Sequence, residues 1–295
     1  MLQLLEISTN QNLHSVAWHF IACYASDFSE AAAAWERSIS AARHAREAPA
    51  IDPGFCLVTD CDFILGNPLW AYATGLIERG EFARAMPLLL ESREIFQRRE
   101  SRYEMADSTG TLGMLAFMQG DLAGAHRYLR EGVTIANDFN YQEMVGLWQP
   151  LLGLVILYEG NVLEAHQLLE ASLRLCLELK DKHFLARIYT YLAELTLWEG
   201  KLDEAEDWLR QSLAYQADLR RITIYPVMQL WVAARLATAQ QQYERAAALF
   251  GLADRMHSQI HDAIAGPMCD LAEAALATAQ AELEPTLFAE GFTAG

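Results

Sequence analysis

Basic residues are scarce in this 295-residue chain: 22 Lys and Arg stand against 39 Asp and Glu, a net charge of −17. Such a surface repels nucleic-acid phosphates and anionic lipid headgroups, which argues against direct nucleic-acid binding and against docking on a membrane. No run of about 20 apolar residues is present to span a bilayer, and the opening Met1-Leu2-Gln3-Leu4-Leu5-Glu6 lacks the basic start and apolar stretch of a secretory signal. A cytoplasmic location is the expectation. Cysteine is sparse and unpatterned: Cys23, Cys56, Cys61, Cys176 and Cys269 are odd in number and form no CxxC zinc spacing, as expected of reduced thiols. Neither a GxSxG elbow nor a GxGxxG or GxxxxGK[ST] phosphate loop occurs, so the chain reads as no enzyme, with no cofactor and no metal.

What the chain does have is a repeat. Gly80, Gly120, Gly160 and Gly200 are spaced 40 apart, and other positions recur around them. Two residues on lie Phe82, Leu122, Val162 and Leu202; five on, Ala85, Ala125, Ala165 and Ala205; nine on, Leu89, Leu129, Leu169 and Leu209; twelve on, the small Ser92, Gly132, Ser172 and Ser212. Seven before the glycine stand Ala73, Gly113, Gly153 and Ala193. One helix pair accounts for all of these. The glycine closes the first helix in the left-handed conformation, a second helix follows at once, and the small residues let the two backbones approach. Neither helix can bury its stripe alone, so successive pairs must stack.

Degenerate copies extend the array at both ends. Gln241 replaces the glycine ahead of Tyr243, Ala246, Phe250 and Ala253, and upstream Ser26 keeps the offsets to Phe28, Ala31, Trp35 and Ser38. The expected fold is all-α: a superhelical solenoid of about six helix pairs over residues 10–265, with capping helices over 266–295. An irregular insertion is expected at about 49–68, with Asn67 as a helix cap and Pro68 as the first helical residue. Pro87 and Pro150 fall inside expected helices and should kink them or mark a boundary.

These offsets resemble the tetratricopeptide (TPR) pattern, six residues longer than its usual 34. The chain is similar to the long variety in the C-terminal sensor regions of bacterial transcriptional regulators related to MalT, which carry a signalling NTPase and often a LuxR-type helix-turn-helix. The stretch Glu178-Leu179-Lys180-Asp181-Lys182 resembles that family's Glu-Leu-Gly-Asp-Arg turn. The segments Ala247-Ala248-Leu249-Phe250-Gly251-Leu252-Ala253 and Leu283-Glu284-Pro285-Thr286-Leu287-Phe288-Ala289-Glu290-Gly291 resemble its ending. The resemblance implies a ligand-sensing, protein-interaction module of such a regulator, whose NTPase and DNA-binding parts would lie on other sequence. A free-standing adaptor that holds a protein partner without switching is the alternative.

In arrays of this kind the first helix of each pair lines a concave groove. The resemblance places on that face Trp70, Thr74 and Ile77; Met114, Phe117 and Met118; Leu154, Leu157 and Tyr158; Thr190, Glu194, Leu197 and Trp198; and Trp231 and Arg235. Two readings fit so apolar a stripe. It is an open groove for a peptide, a protein segment or a small effector, or it is core buried by tight curling. Glu194 and Arg235 either orient a ligand or form a solvated pair. His257 and His261, with Asp254, share a helical face, but no further ligand completes a metal site and a solvated face explains them. Cys56, Asp60, Cys61 and Asp62 cluster in the insertion without a zinc spacing. His126 and His166 occupy one slot in neighbouring repeats, as an exposed ridge would. A homodimer through an apolar end of the stack is a further expectation.

Overall fold

The computed structural model describes residues 11–47, 61–216, 224–258, 260 and 264–295. Fourteen helices run through them: α1 (Gln11–Cys23), α2 (Phe28–Glu47), α3 (Cys61–Glu78), α4 (Phe82–Arg98), α5 (Arg102–Met118), α6 (Leu122–Asp138), α7 (Gln142–Tyr158), α8 (Val162–Leu179), α9 (Lys182–Trp198), α10 (Leu202–Gln216), α11 (Ile224–Ala239), α12 (Tyr243–His257), α13 (Pro267–Glu282) and α14 (Pro285–Ala294). Successive helices pair into an all-α solenoid. None of the described helices is long and apolar enough to cross a membrane.

The turns show why the sequence repeats. Gly80, Gly120, Gly160 and Gly200 all have positive φ, between 76° and 89°, and Gln241 takes 60° in the degenerate copy. At Gly120 the amide donates to Phe117 O and the next amide, of Asp121, to Ala116 O, the two bonds of a Schellman closure. The same pair of bonds closes the helices at the other three glycines and at Gln241. Midway between the glycines Glu100 and Asn140 repeat the two-bond closure without glycine, and Lys180, whose amide donates to Cys176 O, takes the same left-handed turn; their φ are 55°, 58° and 56°. From residue 80 to 200 a left-handed residue therefore falls every 20 positions. Three of the following helices are capped by short polar side chains: Asp121 accepts from the Gly124 amide, Asn161 from that of Glu164, and Asp181 from those of His183 and Phe184.

Within a pair the small residues act as the spacing implies. A Cβ added at Gly113 would lie 2.6 Å from Leu129 Cγ, and one at Gly153 would lie 3.0 Å from Leu169. The hydroxyls twelve residues past the turn tie the second helix to the first: Ser38 donates to Ser15 O, Ser92 to Gly66 O and Ser212 to Ala186 O, at 2.7, 2.9 and 2.7 Å. Each is wholly buried, so a small side chain with one donor satisfies a carbonyl where the helices cross.

The chain divides into two compact units, Met1–Thr111 and Leu112–Gly295. In the first, Leu65, Leu69, Leu76 and Ile77 of α3 and Leu89, Ile95 and Phe96 of α4 make the core. In the second, α13 packs on α11 and α12, and α14 lies on α12 so closely that a Cβ at Gly251 would strike the Phe292 carbonyl. The second unit also closes over a long sequence distance. The Ala265 amide donates to Met118 O at 2.9 Å in a parallel bridge, and a Cβ at Gly120 would lie 3.1 Å from Gly266 N.

The expected insertion does not run to residue 68. Helix α3 starts at Cys61, so Asn67 caps nothing and Pro68 sits inside the helix. Interior proline costs about 3 kcal/mol, whereas burying Ile64, Leu65 and Leu69 returns about 1.5–3 kcal/mol for each side chain. Residues 48–60 lie outside the described residues. Helices α4 and α7 likewise continue through Pro87 and Pro150.

Candidate functional site

The inner stripe of the second unit is built from the last two turns of each first helix. Residues two and three before each turn bring aromatic rings into a row. The Phe117 and Tyr158 rings stack with centroids 6.2 Å apart and an interplanar angle of 10°, and Tyr158 meets Trp198 edge-on at 5.9 Å. Behind the row, the residues six before the turn of α9 and α11 form an ion pair. Arg235 Nη1 donates to both carboxylate oxygens of Glu194 at 2.7 Å, and the Tyr158 hydroxyl donates to Glu194 Oε1 at 3.0 Å. Glu194 is 0% and Arg235 9% exposed, so this is a buried pair and not the solvated one that the sequence allowed. Burial, with the Glu194 charge beside it, pushes the Tyr158 phenol well above its usual range and keeps it a neutral donor.

Burial sorts the other expected residues. Met114, Phe117, Met118, Leu154, Leu157, Thr190 and Trp231 are buried in the second unit. Much of the stripe is thus filled by its own side chains. Tyr158 and Leu197 are half-buried, and Trp198, at the end of the aromatic row, is 42% exposed. In the first unit Ile77 is buried, Trp70 donates its indole N–H to Thr111 Oγ1 at 3.2 Å, and Thr74 donates to Trp70 O at 2.9 Å. That unit also carries a cleft of about 490 Å³ lined by Glu36, Ile39, Ser40, Arg43, His44, Tyr72 and Leu88. Its charges are already engaged: Tyr72 donates to Glu36, Arg84 donates to the Tyr72 oxygen, and burial together with Glu36 pushes Tyr72 up to about 12.

The histidines divide as well. His126 belongs to an outer lattice in which its Nδ1 lies 2.6 Å from Glu159, while Arg130 donates to its Nε2 and to Glu164. His257 is not on a solvated face: its ring packs edge-on against Trp231 at 5.4 Å, and its Nε2 accepts from the Ile264 amide at 3.3 Å. His261 lies outside the described residues, as do Cys56 and Asp60, while Asp62 pairs with Arg46 of α2. Among the described residues no three His, Cys, Asp or Glu side chains converge as metal ligands. Sequence reasoning missed the role of Tyr158 as donor to Glu194, because a tyrosine two before a turn looks the same whether it faces solvent or a carboxylate.

No protein-family model matches the chain, and no curated protein matches it. Solved structures do. BtubC (BKLC) from P. vanneervenii superposes with a TM-score of 0.53 at 18% identity, over 80% of this chain and 93% of that one. The TPR2AB domain of yeast Sti1, solved as a complex with pHSP90, covers 92% of this chain and 97% of its own, at 13% identity and a TM-score of 0.34. Together with the paired helices and their recurring turns, the BtubC likeness shows that the chain has a TPR-like helical-repeat fold.

Proposed function

We propose that this chain is a protein-interaction module that takes a peptide or protein segment against the exposed edge of the second unit's inner face. The observation that carries the reading is Trp198. Where most of the stripe is buried and its immediate neighbours half-buried, this indole stays 42% exposed and is pinned edge-on against Tyr158, itself fixed by Glu194. A large aromatic side chain that has already lost most of its rotamer freedom is the kind of group that dominates binding energy. The net charge of −17 favours a partner segment that is basic or neutral.

The module's context, on this reading, is the signal-input region of a MalT-like regulator. Supporting it is the Glu178–Lys182 turn, where Lys180 holds the left-handed conformation that suits the glycine of the related motif and Asp181 caps the next helix. A photocrosslinking amino acid at position 197, where Leu197 lies half-buried beside an intact Trp198, should capture a partner in the source cell, whereas one at position 163, where Leu163 is 72% exposed on α8, should not. Equal capture from both sites, or none from 197, would overturn the binding reading. The mass of the native polypeptide separates the contexts: a product much larger than 33.1 kDa fits the regulator, and one of that size leaves the free-standing adaptor.

A further inference from the structure

Helices α9 and α11 face each other through two pairs of residues one turn apart, Arg187 with Tyr191 and Tyr225 with Gln229, a spacing that puts both members of each pair on one helix face. Together with Ala186, Thr190 and Met228 they line a small, partly open cavity with about 10 Å³ of room for the centre of a water-sized sphere, space for one small particle. What lines it is rich in donors and short of anionic acceptors. The Arg187 guanidinium donates to the Tyr225 oxygen at 2.9 Å, reaches Leu147 O only at 3.5 Å, and meets no carboxylate among the described residues. Its remaining neighbours are the faces of Phe184 and Tyr225, at 5.6 and 5.0 Å. The Tyr225 hydroxyl spends its own proton on Met114 Sδ at 3.1 Å, a weak acceptor. Tyr191 is 2% exposed, and its hydroxyl, buried, has no hydrogen-bond partner.

A buried hydroxyl left unpaired is costly, and a half-buried guanidinium packed among aromatic rings gains from a counter-charge. The contrast lies about two turns along α9, where Glu194 neutralises Arg235 of α11 with two short bonds. Burial pushes the Tyr191 phenol far up, so it remains a neutral O–H that can only gain by donating to an acceptor. Gln229 does not supply the missing charge, because its amide donates to Ser212 Oγ at 2.6 Å and the side chain is neutral.

We propose that Arg187, Tyr191 and Tyr225 form a binding site for one small inorganic anion of halide size inside the second unit. The guanidinium supplies the charge and the Tyr191 hydroxyl the directed donor, while the Tyr225 oxygen holds the guanidinium in place. The anion completes the pairing between α9 and α11.

The test is thermal unfolding of the whole chain in sodium chloride against sodium gluconate at equal ionic strength, which holds screening constant and offers in gluconate an anion too large for the cavity. Chloride should raise Tm saturably, by about 3–6 °C once it stands tenfold above its Kd, and gluconate should not. Tyr191→Phe removes one oxygen and nothing else; it should keep the fold and cut that chloride-specific shift to less than half. Arg187→Gln should abolish the shift, and if that variant does not fold, Tyr191→Phe carries the test alone. Equal shifts in the two salts, no shift in either, or a full shift in Tyr191→Phe would overturn the site and leave the cavity to water.

Discussion

Two faces of the second unit carry ion pairs of the same chemistry in opposite surroundings. On the outer ridge Arg130 holds Glu164 at 2.8 Å with side chains 49% and 38% exposed, and on the inner stripe Arg235 holds Glu194 at 2.7 Å with side chains 9% and 0% exposed. The distances are almost equal, but the consequences are not. Outside, water screens the attraction and stands ready to replace either partner, so the pair contributes about 0–1 kcal/mol. Inside, the pair offsets a desolvation penalty of its own making, and its importance appears only when one half is removed. The outer lattice sets charge pattern and solubility, whereas the inner pair fixes which way α9 and α11 meet.

The sharpest way to break the contrast is Arg235→Ala, which strands Glu194 and Tyr158 in the interior. It should destabilise the chain by about 3–5 kcal/mol in urea unfolding. The double variant Glu194→Leu with Arg235→Met should recover most of that loss, and failure to recover it would mean that the pair is net stabilising rather than mutually compensating. Apolar positions of the stripe should separate in the same manner. Met118→Ala, at a wholly buried site, should cost about 2–5 kcal/mol, whereas Trp198→Ala should cost about 1.5 kcal/mol or less and act on partner binding instead. Similar unfolding midpoints for these two variants would erase the distinction between filled stripe and exposed edge. Removing the outer partner, Arg130→Ala, should move stability by no more than about 1 kcal/mol, and less at high salt.

The smallest effect concerns pH. Burial holds the His257 imidazole below its ordinary value of 6.5, with Asp254 partly opposing, and burial lowers His19 in the first unit too. The unfolded chain therefore binds these protons first as pH falls, so stability should decline below about pH 6.5 and level off beneath the folded-state values. Protonation of His257 would also remove the lone pair that accepts from the Ile264 amide. His257→Gln should flatten part of the slope of the urea midpoint between pH 7.5 and 5.5, and an unchanged slope would show that other groups govern it.

How much of this could be read in advance depended on how each constraint is written in residues. The closures at Gly80, Gly120, Gly160 and Gly200 were legible because a left-handed position with no tertiary compensation favours glycine strongly. The intervening closures at Glu100 and Asn140 were invisible, and the one at Lys180 was marked only by the resemblance of its turn to a glycine-bearing motif, since unlike side chains tolerate the same left-handed φ at a modest cost that packing offsets. Pro68 misled for the converse reason: a strong local signal was overruled by the burial of Ile64, Leu65 and Leu69. The fate of the inner stripe could not be decided from periodicity, because residues recurring at two, three and six before a turn look identical whether they face a groove or each other. Arg187 gave no signal at all. Only the structure shows that, among the described residues, it lies against rings and a hydroxyl rather than a carboxylate.

The bridge between Gln119 and Ala265 has a kinetic meaning that its single hydrogen bond conceals. Stacked repeats ordinarily form by neighbour-to-neighbour growth as each pair leaves the ribosome, but this contact joins residues nearly 150 positions apart. At about 5–20 residues per second, the turn at Gly120 waits on the order of 10–30 s for Gly266 to be made. During that interval the backbone face that later receives Ala265 is open to water and to chaperones. A nascent chain halted before residue 265 should hold its early helix pairs yet remain protease-sensitive at the α5–α6 turn, and release of the last thirty residues should close it in one step.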